Sequence, residues 1–349
     1  MKKSSTLVFQ CAAVFIGTVV GAGLASGKEI TQFFTSYGFA SFFGIIACGL
    51  LYILISSLIA SISIKYDLNS YNEFITFVSP GFLGKIIDFI TTLFLISSAA
   101  IILAGSGALL HQYFGVSRWV GIFLMALLSS LVLLKDTSGL IKINSFIVPS
   151  LITIIVSIFI LYTIFCKDMI SLNHLISTPH PKNNWFISSL LYAGFNLLCC
   201  SGVLVPLSKE MKDEKNIISG LIIGSVVLSI LCVLINIMLM SNIPYIYEYE
   251  IPLLYISNRF GKIVQIVLLV IIWCEMFSTE VSDIYSIAKT LETKFKISFK
   301  KGIFIVLLLA LPISQIGFGN LISIIYPFFG AISLIFMFQL LYFFFIKDK

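Results

Sequence analysis

A glycine-rich run between residues 17 and 29 interrupts a hydrophobic stretch that is otherwise long enough to cross a membrane. Hydrocarbon offers no water to backbone amides and carbonyls, so a membrane segment stays helical unless its free polar groups line a cavity or contact a ligand. Glycine weakens a helix by roughly 1 kcal/mol relative to alanine and lets a ligand approach the backbone closely. The run therefore predicts a broken membrane helix and a binding site at about mid-depth.

The end of this run indicates where the helix restarts. Ser26 and Glu29 have the Ser-x-x-Glu spacing of a capping box, in which the two side chains cap the start of a helix. We therefore expect a helix N-terminus, with the positive end of its dipole, near the middle of the membrane. Unpaired amides in that position suit a carboxylate.

Composition excludes a soluble globule. The chain of 349 residues is 59% hydrophobic and 11% charged, with a mean hydropathy of +1.07, which leaves too few polar residues to cover a water-exposed surface. Hydrophobicity extends nearly from end to end, so we expect one integral membrane domain over residues 1–349. The seven cysteines lie in or beside apolar segments without a C-x-x-C motif, which favours small packing residues over disulfides or zinc.

The apolar runs predict an all-α protein with ten membrane spans. The spans are expected near residues 7–35, 38–64, 83–113, 117–134, 144–166, 184–208, 216–241, 262–290, 300–316 and 320–346. Two short surface helices are expected in the loops after the second and seventh spans, within residues 65–82 and 249–259.

The distribution of Lys and Arg predicts the orientation of the spans. Apart from Lys28, which falls inside the membrane, most of these residues lie on the side of the N-terminus; the exceptions are Arg118, Lys167, Lys182, Arg259 and Lys262. The positive-inside rule then places both termini in the cytoplasm. The net charge of +6 is thus interpreted as a signal of orientation, not of nucleic-acid binding.

The spans divide into two groups of five, over residues 1–166 and 184–349, with opposite topology. This arrangement is typical of the inverted repeats of secondary transporters. Gly194, Gly202 and Pro206 weaken the sixth span, and Asn196 is polar at mid-depth. We therefore expect the sixth span to be broken like the first.

Several motifs resemble one family. The run Gly-Thr-Val-Val-Gly-Ala-Gly at 17–23, the following Ala25-Ser26-Gly27, and Glu29-Ile30-x-x-Phe33-Phe34 resemble the YkvI-like family of amino-acid permeases, within the amino acid, polyamine and organocation superfamily. The resemblance covers the whole chain, including Phe195, Asn196 and Pro206. It implies a LeuT-type fold of five plus five helices, with solute and cation held between broken spans one and six and the flanking spans three and eight.

A solute site is expected between spans one and six. The backbone amides of the first span are expected to bind a carboxylate, and side chains of the sixth are expected to contact the rest of the solute: Gly21, Ala22, Gly23, Ala25, Ser26, Gly27, Phe195, Asn196 and Ser201. No acid is expected to meet an amino group, because backbone carbonyls can do so in this fold.

Two coupling ions are considered. The resemblance implies a sodium site formed by the carbonyls of Gly17 and Val20, the hydroxyls of Ser278 and Thr279, and Glu275; oxygen ligands suit a small alkali cation. The alternative is that the two hydroxyls bond to their own helix or a neighbour, as membrane hydroxyls often do.

Acidic side chains offer a competing mechanism. Glu275 and Glu280, with Asp283 on the same span, are costly in a membrane unless partnered, and a buried carboxyl can carry a proton. Structural pairing with Lys28 or another helix is the alternative. Lys28 itself is interpreted either as a gate that meets an acid or the solute carboxylate, or as a side chain that extends to the membrane edge.

The leading hypothesis is a secondary transporter for an amino acid or similar zwitterion, driven by sodium or a proton and located in a plasma membrane of bacterial type. The alternative is a permease-like receptor, similar to germinant sensors, that binds an amino acid and signals without accumulating it. An enzyme is disfavoured, because no H-E-x-x-H or G-x-S-x-G motif is present. No cofactor beyond the coupling ion and no nucleic-acid partner is expected.

Overall fold

The computed structural model describes residues 2–68, 70–135, 140–211 and 213–347, and these residues form helices without a β-strand. Fifteen α-helices are numbered in chain order: α1 Lys2–Val19, α2 Ala22–Ser26, α3 Lys28–Phe33, α4 Ser41–Lys65, α5 Tyr71–Val78, α6 Phe82–Phe114, α7 Arg118–Lys135, α8 Leu140–Phe165, α9 Leu172–Ser177, α10 Trp185–Met211, α11 Glu214–Met240, α12 Pro252–Ser257, α13 Lys262–Phe295, α14 Phe299–Ser314 and α15 Phe318–Tyr342.

Helices occupy all ten positions at which the sequence predicts a span. Seven of the described helices are long and apolar enough to cross a membrane, and two shorter apolar helices, Thr6–Val19 and Arg118–Leu134, accompany them. The number of ten spans therefore stays a prediction. Helices are confirmed in both predicted loops, as α5 and α12, but the predicted surface position of α12 is wrong, because five of its six residues are buried. Helix α9 was not predicted.

The long helices pack in two groups. In the first, α4 packs against α10 and α11, and α1 packs against α11 and α10; in the second, α6, α7, α13 and α14 pack together. Helix α15 lies against α10 and α6, and α8 lies against α13 and α11. Gly330 brings α15 close to α10, because an added Cβ would lie 2.6 Å from the backbone oxygen of Leu191.

The predicted break in the first span is confirmed. Helix α1 ends at Val19, Val20 and Gly21 are not helical, and α2 then forms a short turn that ends at Gly27. Gly27 has φ +82°, a left-handed conformation that glycine adopts without steric cost, and its amide bonds to the carbonyl of Leu24 at 3.0 Å. The first span thus consists of three helical pieces, α1, α2 and α3.

The predicted capping box is wrong. The Ser26 hydroxyl donates to the Gly23 carbonyl at 2.8 Å and accepts from the Lys28 amide at 3.2 Å, so Ser26 closes α2 instead of opening α3. Helix α3 begins after Gly27 without a side-chain cap. The Glu29 carboxyl turns away from the backbone because a hydroxyl of α10 offers it a partner.

The predicted break in the sixth span is also wrong. Helix α10 continues through Gly194, Gly202 and Pro206. A glycine costs a helix only about 1 kcal/mol, and at Gly194 the missing side chain allows close packing, since an added Cβ would lie 3.2 Å from the Gly330 carbonyl. The Asn196 amide bonds to the Tyr192 carbonyl at 3.0 Å and so stays within the helix.

Candidate solute and ion site

The break in the first span leaves room beside Gly21. The Gly21 amide bonds to the Val19 carbonyl at 3.0 Å, and its carbonyl accepts from Ala25 at 3.0 Å. A Cβ added at Gly21 would meet no atom within 4 Å. The first amides of α2, which starts at Ala22, have no partner within their own helix. The break therefore combines open space with polar backbone groups in a buried part of the molecule.

The expected solute contacts of α10 divide into two kinds. Phe195 is buried and belongs to a cluster of rings that is described below. Asn196 and Ser201 are also buried, but the Asn196 amide and the Ser201 hydroxyl both donate to carbonyls of α10, the latter to Leu198 at 2.6 Å. Of the three side chains, Phe195 is the one that contacts the first span, at a ring-centroid distance of 6.0 Å from Phe33.

Helix α13 carries buried polar groups that the sequence singled out. Glu275, Ser278, Glu280 and Asp283 are all at most 8% exposed. Within the described part of the chain, neither carboxyl oxygen of Glu280 has a hydrogen-bond partner, and the same holds for one oxygen of Asp283. Asp283 also accepts a hydrogen bond from Ser98 of α6.

The hydroxyl of Thr279 bonds to its own helix. It donates to the Glu275 carbonyl at 3.1 Å. The next hydroxyl along α13, that of Ser282, donates to the backbone carbonyl of Ser278 at 2.9 Å. Helix α13 packs against α2 and α8, while Gly17 of α1 faces Val148 of α8. A donated hydrogen bond leaves the lone pairs of a hydroxyl free, so these oxygens keep the capacity to coordinate a cation.

Lys28 turns away from the acids of α13. Its ammonium donates to the Tyr249 carbonyl at 2.8 Å, in the loop between α11 and α12, and lies within electrostatic reach of Glu250. Glu250 in turn pairs with Arg118 at 3.4 Å. The expected alternative, in which Lys28 neutralises Glu275 or Glu280, is therefore wrong for this structure, because the side chain instead joins α3 to the loop.

Sequence reasoning missed Glu29 as a site residue. Glu29 is 2% exposed, its carboxylate accepts a hydrogen bond of 3.0 Å from the Tyr192 hydroxyl, and the Tyr326 hydroxyl lies near it. A Cβ at Gly23 would overlap the Glu29 carboxyl, which therefore lies directly against α2. The sequence-based expectation named no acid at the break, whereas the structure places the Glu29 carboxyl beside Gly23.

Four aromatic rings surround this region, and we call Phe33, Tyr192, Phe195 and Tyr326 the aromatic cage. The ring centroids are 5.2 Å apart for Phe33 and Tyr192, 5.3 Å for Tyr192 and Phe195, and 4.5 Å for Phe195 and Tyr326. The cage thus joins α3, α10 and α15. A cue for it existed in the sequence, because Tyr192 lies one helical turn before Asn196 and hence on the same face.

A cavity of about 370 Å³ lies beside the cage. Its lining residues include Gln32 and Phe33 of α3, Leu191 of α10 and Pro327 of α15. Lys182, which precedes α10, also lines it. Lys182 donates to the Gln32 carbonyl at 3.3 Å, and its partial burial lowers its pKa. Phe33 thus belongs to both the cage and the cavity wall.

The structure contains no group of three or more His, Cys, Asp and Glu side chains arranged to hold a metal ion, as far as its described residues go. The seven cysteines are free thiols. Four of them, Cys11, Cys48, Cys200 and Cys232, are buried among the helices, as packing residues are.

The fold is similar to solved structures of transporters. The inward-facing conformation of Mhp1 matches with a TM-score of 0.69 at 14% identity, over 93% of this chain and 73% of Mhp1. A manganese transporter of Eremococcus coleocola matches with a TM-score of 0.66 at 14% identity, over 97% and 79%. MhsT in complex with L-phenylalanine matches with a TM-score of 0.61 at 13% identity, over 95% and 88%. The chain is thus a helical membrane protein with a LeuT-type fold.

Sequence relatives give the family. The chain is 33% identical to the membrane protein YkvI of Bacillus subtilis (strain 168) over 341 residues, which cover 98% of this chain and 97% of YkvI. It is 25% identical over 326 residues to YyaD of the same bacterium, covering 92% of each. No family model matches. The chain belongs to the YkvI family. YkvI is a membrane protein, and the structural neighbours are transporters.

Proposed function

We propose that the protein is a secondary active transporter for an amino acid or a similar small zwitterion. The observation that carries this proposal is the non-helical backbone at Val20 and Gly21, which borders open space inside a fold shared with transporters. Irregular backbone in a membrane is tolerated where it lines a cavity or binds a ligand. The two halves, residues 1–166 and 184–349, act as inverted repeats. The group of α1, α4, α10 and α11 moves against the group of α6, α7, α13 and α14 around this point.

The solute carboxylate is assigned to the backbone from Gly21 to Gly27, where the amides of Ala22 and Gly23 lack partners in their own helix. Phe195 contacts the apolar part of the solute. Asn196 and Ser201 each donate one hydrogen bond within α10 and keep their oxygen lone pairs for contacts with the solute. The structural neighbour MhsT holds L-phenylalanine, which supports a solute of this size.

The coupling ion is proposed to be sodium, bound by the carbonyls of Gly17 and Val20 with Ser278, Thr279 and Glu275. The oxygen donors suit a hard cation. The hydroxyl of Thr279 donates to its own helix and keeps its lone pairs available.

A proton is the competing coupling ion, and a separate observation favours it. The unpartnered carboxyl oxygens of Glu280 and Asp283 lie in the apolar interior, where an ionised and unpaired acid costs several kcal/mol. A proton on this pair would remove that cost. Lys28 is assigned to a gate, because its bond to the Tyr249 carbonyl closes the loop after α11 over the first span.

The surface of the molecule fits a bilayer. Large apolar side chains such as Leu50, Leu308 and Phe338 are exposed by 62%, 72% and 70%, which in water would be unfavourable and in lipid is not. We place the protein in a bacterial-type cell membrane with both termini in the cytoplasm, on the strength of the Lys and Arg distribution.

Uptake by proteoliposomes tests the proposal. Purified protein is reconstituted, and accumulation of pooled labelled amino acids is measured under an inward sodium gradient and, separately, an inward proton gradient. We expect accumulation above equilibrium under one of the two. Loss of it in Ser278→Ala with Thr279→Ala assigns sodium, whereas loss in Glu280→Gln assigns a proton.

The matched control is the double variant Ser286→Ala with Thr290→Ala. These residues are the same types on the same helix, and their hydroxyls bond back to α13 in the same way, with exposed hydrogen bonds. Accumulation by this control should equal that of the wild type. Binding of amino acids without accumulation under either gradient would contradict coupled transport and indicate a receptor instead.

A further inference from the structure

Glu29 is an acid in the apolar interior that lacks a counter-charge. It is 2% exposed, and the ion pairs of the described chain lie elsewhere. The adjacent Lys28 points to the Tyr249 carbonyl instead. Because an unpaired carboxylate in a membrane interior costs several kcal/mol, Glu29 is stabilised by a proton or by a bound cation, and an ammonium group is the cation that a solute can supply.

The carboxyl of Glu29 is held in place but not saturated. The Tyr192 hydroxyl donates to it, the Tyr326 hydroxyl lies nearby, and Gly23 allows it to lie against α2. A carboxylate has about four lone-pair positions, so the bond from Tyr192 orients the group and leaves acceptor capacity. An ammonium group, which has three donors, matches the remaining positions.

The aromatic cage adds a second preference for a cation. Ring faces carry partial negative charge, and a cation over such a face gains about 0.5 to 2 kcal/mol, more as it is desolvated. The same rings bury hydrocarbon. The centroids of successive cage rings are 4.5–5.3 Å apart, so the rings pack against one another, and a cation reaches their faces only when the rings separate. A solute that enters between them is favoured if its charge is positive and its remainder is apolar.

The cage also lies where a solute can arrive. Glu29 contacts Gly23, two residues from the open space at Gly21, and Phe33 of the cage also lines the cavity of about 370 Å³.

We propose that Glu29 and the aromatic cage form an ammonium site, so that a protonated amine with an apolar side chain is the group that a solute must carry. This inference deepens the proposed function and rests on it, because the cage is taken as part of the transported solute's site. Glu29 binds the ammonium directly, while Tyr192 and Tyr326 position its carboxylate.

Binding of matched compounds to the purified protein in lipid nanodiscs tests the inference, with the melting temperature as the readout. One series is L-phenylalanine, phenethylamine and 3-phenylpropanoate, and the other is L-leucine, 3-methylbutylamine and 4-methylpentanoate. We expect the four amine-bearing compounds to stabilise the wild type and the two acids without an amine to have no effect. In Glu29→Gln, the affinity for the amine-bearing compounds should fall at least tenfold.

Two further variants separate lost binding from lost folding. Glu29→Asp keeps the charge and should retain binding better than Glu29→Gln, whose amide can still accept from Tyr192. Glu214→Gln removes an acid from the start of α11, where its hydrogen bond to Ser61 is exposed, and should bind like the wild type. The inference is overturned if no amine-bearing compound stabilises the wild type, if the acids without an amine stabilise it equally, or if Glu29→Gln keeps its amine affinity within threefold.

The binding experiment tests the ammonium site and the uptake experiment tests transport, so either claim can fail without the other. Accumulation by the wild type together with amine affinity that does not depend on Glu29 would remove the ammonium site and leave the transporter. Amine binding that depends on Glu29, without accumulation under either gradient, would remove the transporter and leave the ammonium site.

Discussion

Two glycines of the broken span differ in what their missing side chains allow. At Gly21 an added Cβ meets nothing within 4 Å, whereas at Gly23 it would overlap the Glu29 carboxyl. Gly21 has φ −98° and ψ −171°, which alanine adopts without strain. Gly21 therefore keeps space for a solute, and Gly23 keeps space for an acid.

Alanine at these two positions should separate stability from binding. Gly23→Ala forces Glu29 out of its place and should lower the free energy of unfolding by about 1–3 kcal/mol, as overpacking does. Gly21→Ala should leave the free energy of unfolding unchanged and weaken solute binding at least fivefold. Thermal unfolding of both variants measures the stability, and ligand titration measures the affinity. Equal stability of the two variants would contradict the assignment of Gly23.

Glu29 also shows why the sequence revealed only part of the site. Ser26 and Glu29 match a capping box locally, but the partner of the carboxylate, Tyr192, is 163 residues away in the chain. A pattern of neighbouring residues contains no information about a contact between residues so far apart in the chain. The polar groups of α13, by contrast, could be predicted because acids are conspicuous in an apolar span, and they are buried in the structure.

At the scale of helices, one face of α1 stands out. Gln10 and Ala13 are exposed and Gly17 is half-buried, and these residues lead along one side of the helix to Gly21. If the proposed transporter opens toward its N-terminal side, this face lines the path from water to the break. Lipid-facing positions such as Leu50 of α4 are exposed as well, but to hydrocarbon.

Thiol labelling should distinguish the two environments. We expect Ala13→Cys to react with a membrane-impermeant thiol reagent, added from the N-terminal side, at least tenfold faster than Leu50→Cys. Thiol reagents react with the thiolate, which forms readily in water and not in lipid. The parent protein with its seven native cysteines gives the background rate. Equal, slow reaction of both variants would indicate that the α1 face contacts lipid.

The helices themselves illustrate what hydropathy can and cannot predict. All ten positions could be located because each needs a long apolar run. The break in the first span could be predicted because several glycines fall in one short run. The absence of a break in α10 did not follow from its sequence, because packing of Gly194 against Gly330 on α15 offsets the local weakness.

The whole molecule has a LeuT-type fold with an open break in the first span. It also buries acids in two places, at Glu29 and on α13. A coupled transporter uses such parts together, since solute and ion must bind to the same conformation for one gradient to drive the other. The coupling is reciprocal as a matter of thermodynamics. A solute gradient must therefore move the ion.

The most direct test reverses the usual experiment. Proteoliposomes without any ion gradient receive an inward gradient of pooled amino acids, while entry of labelled sodium and the internal pH are recorded together. The account predicts that one of the two ions enters with the solute, at a fixed ratio, and that Gly21→Ala reduces both fluxes by the same factor. Solute entry with neither sodium nor proton movement would contradict coupled transport by this protein.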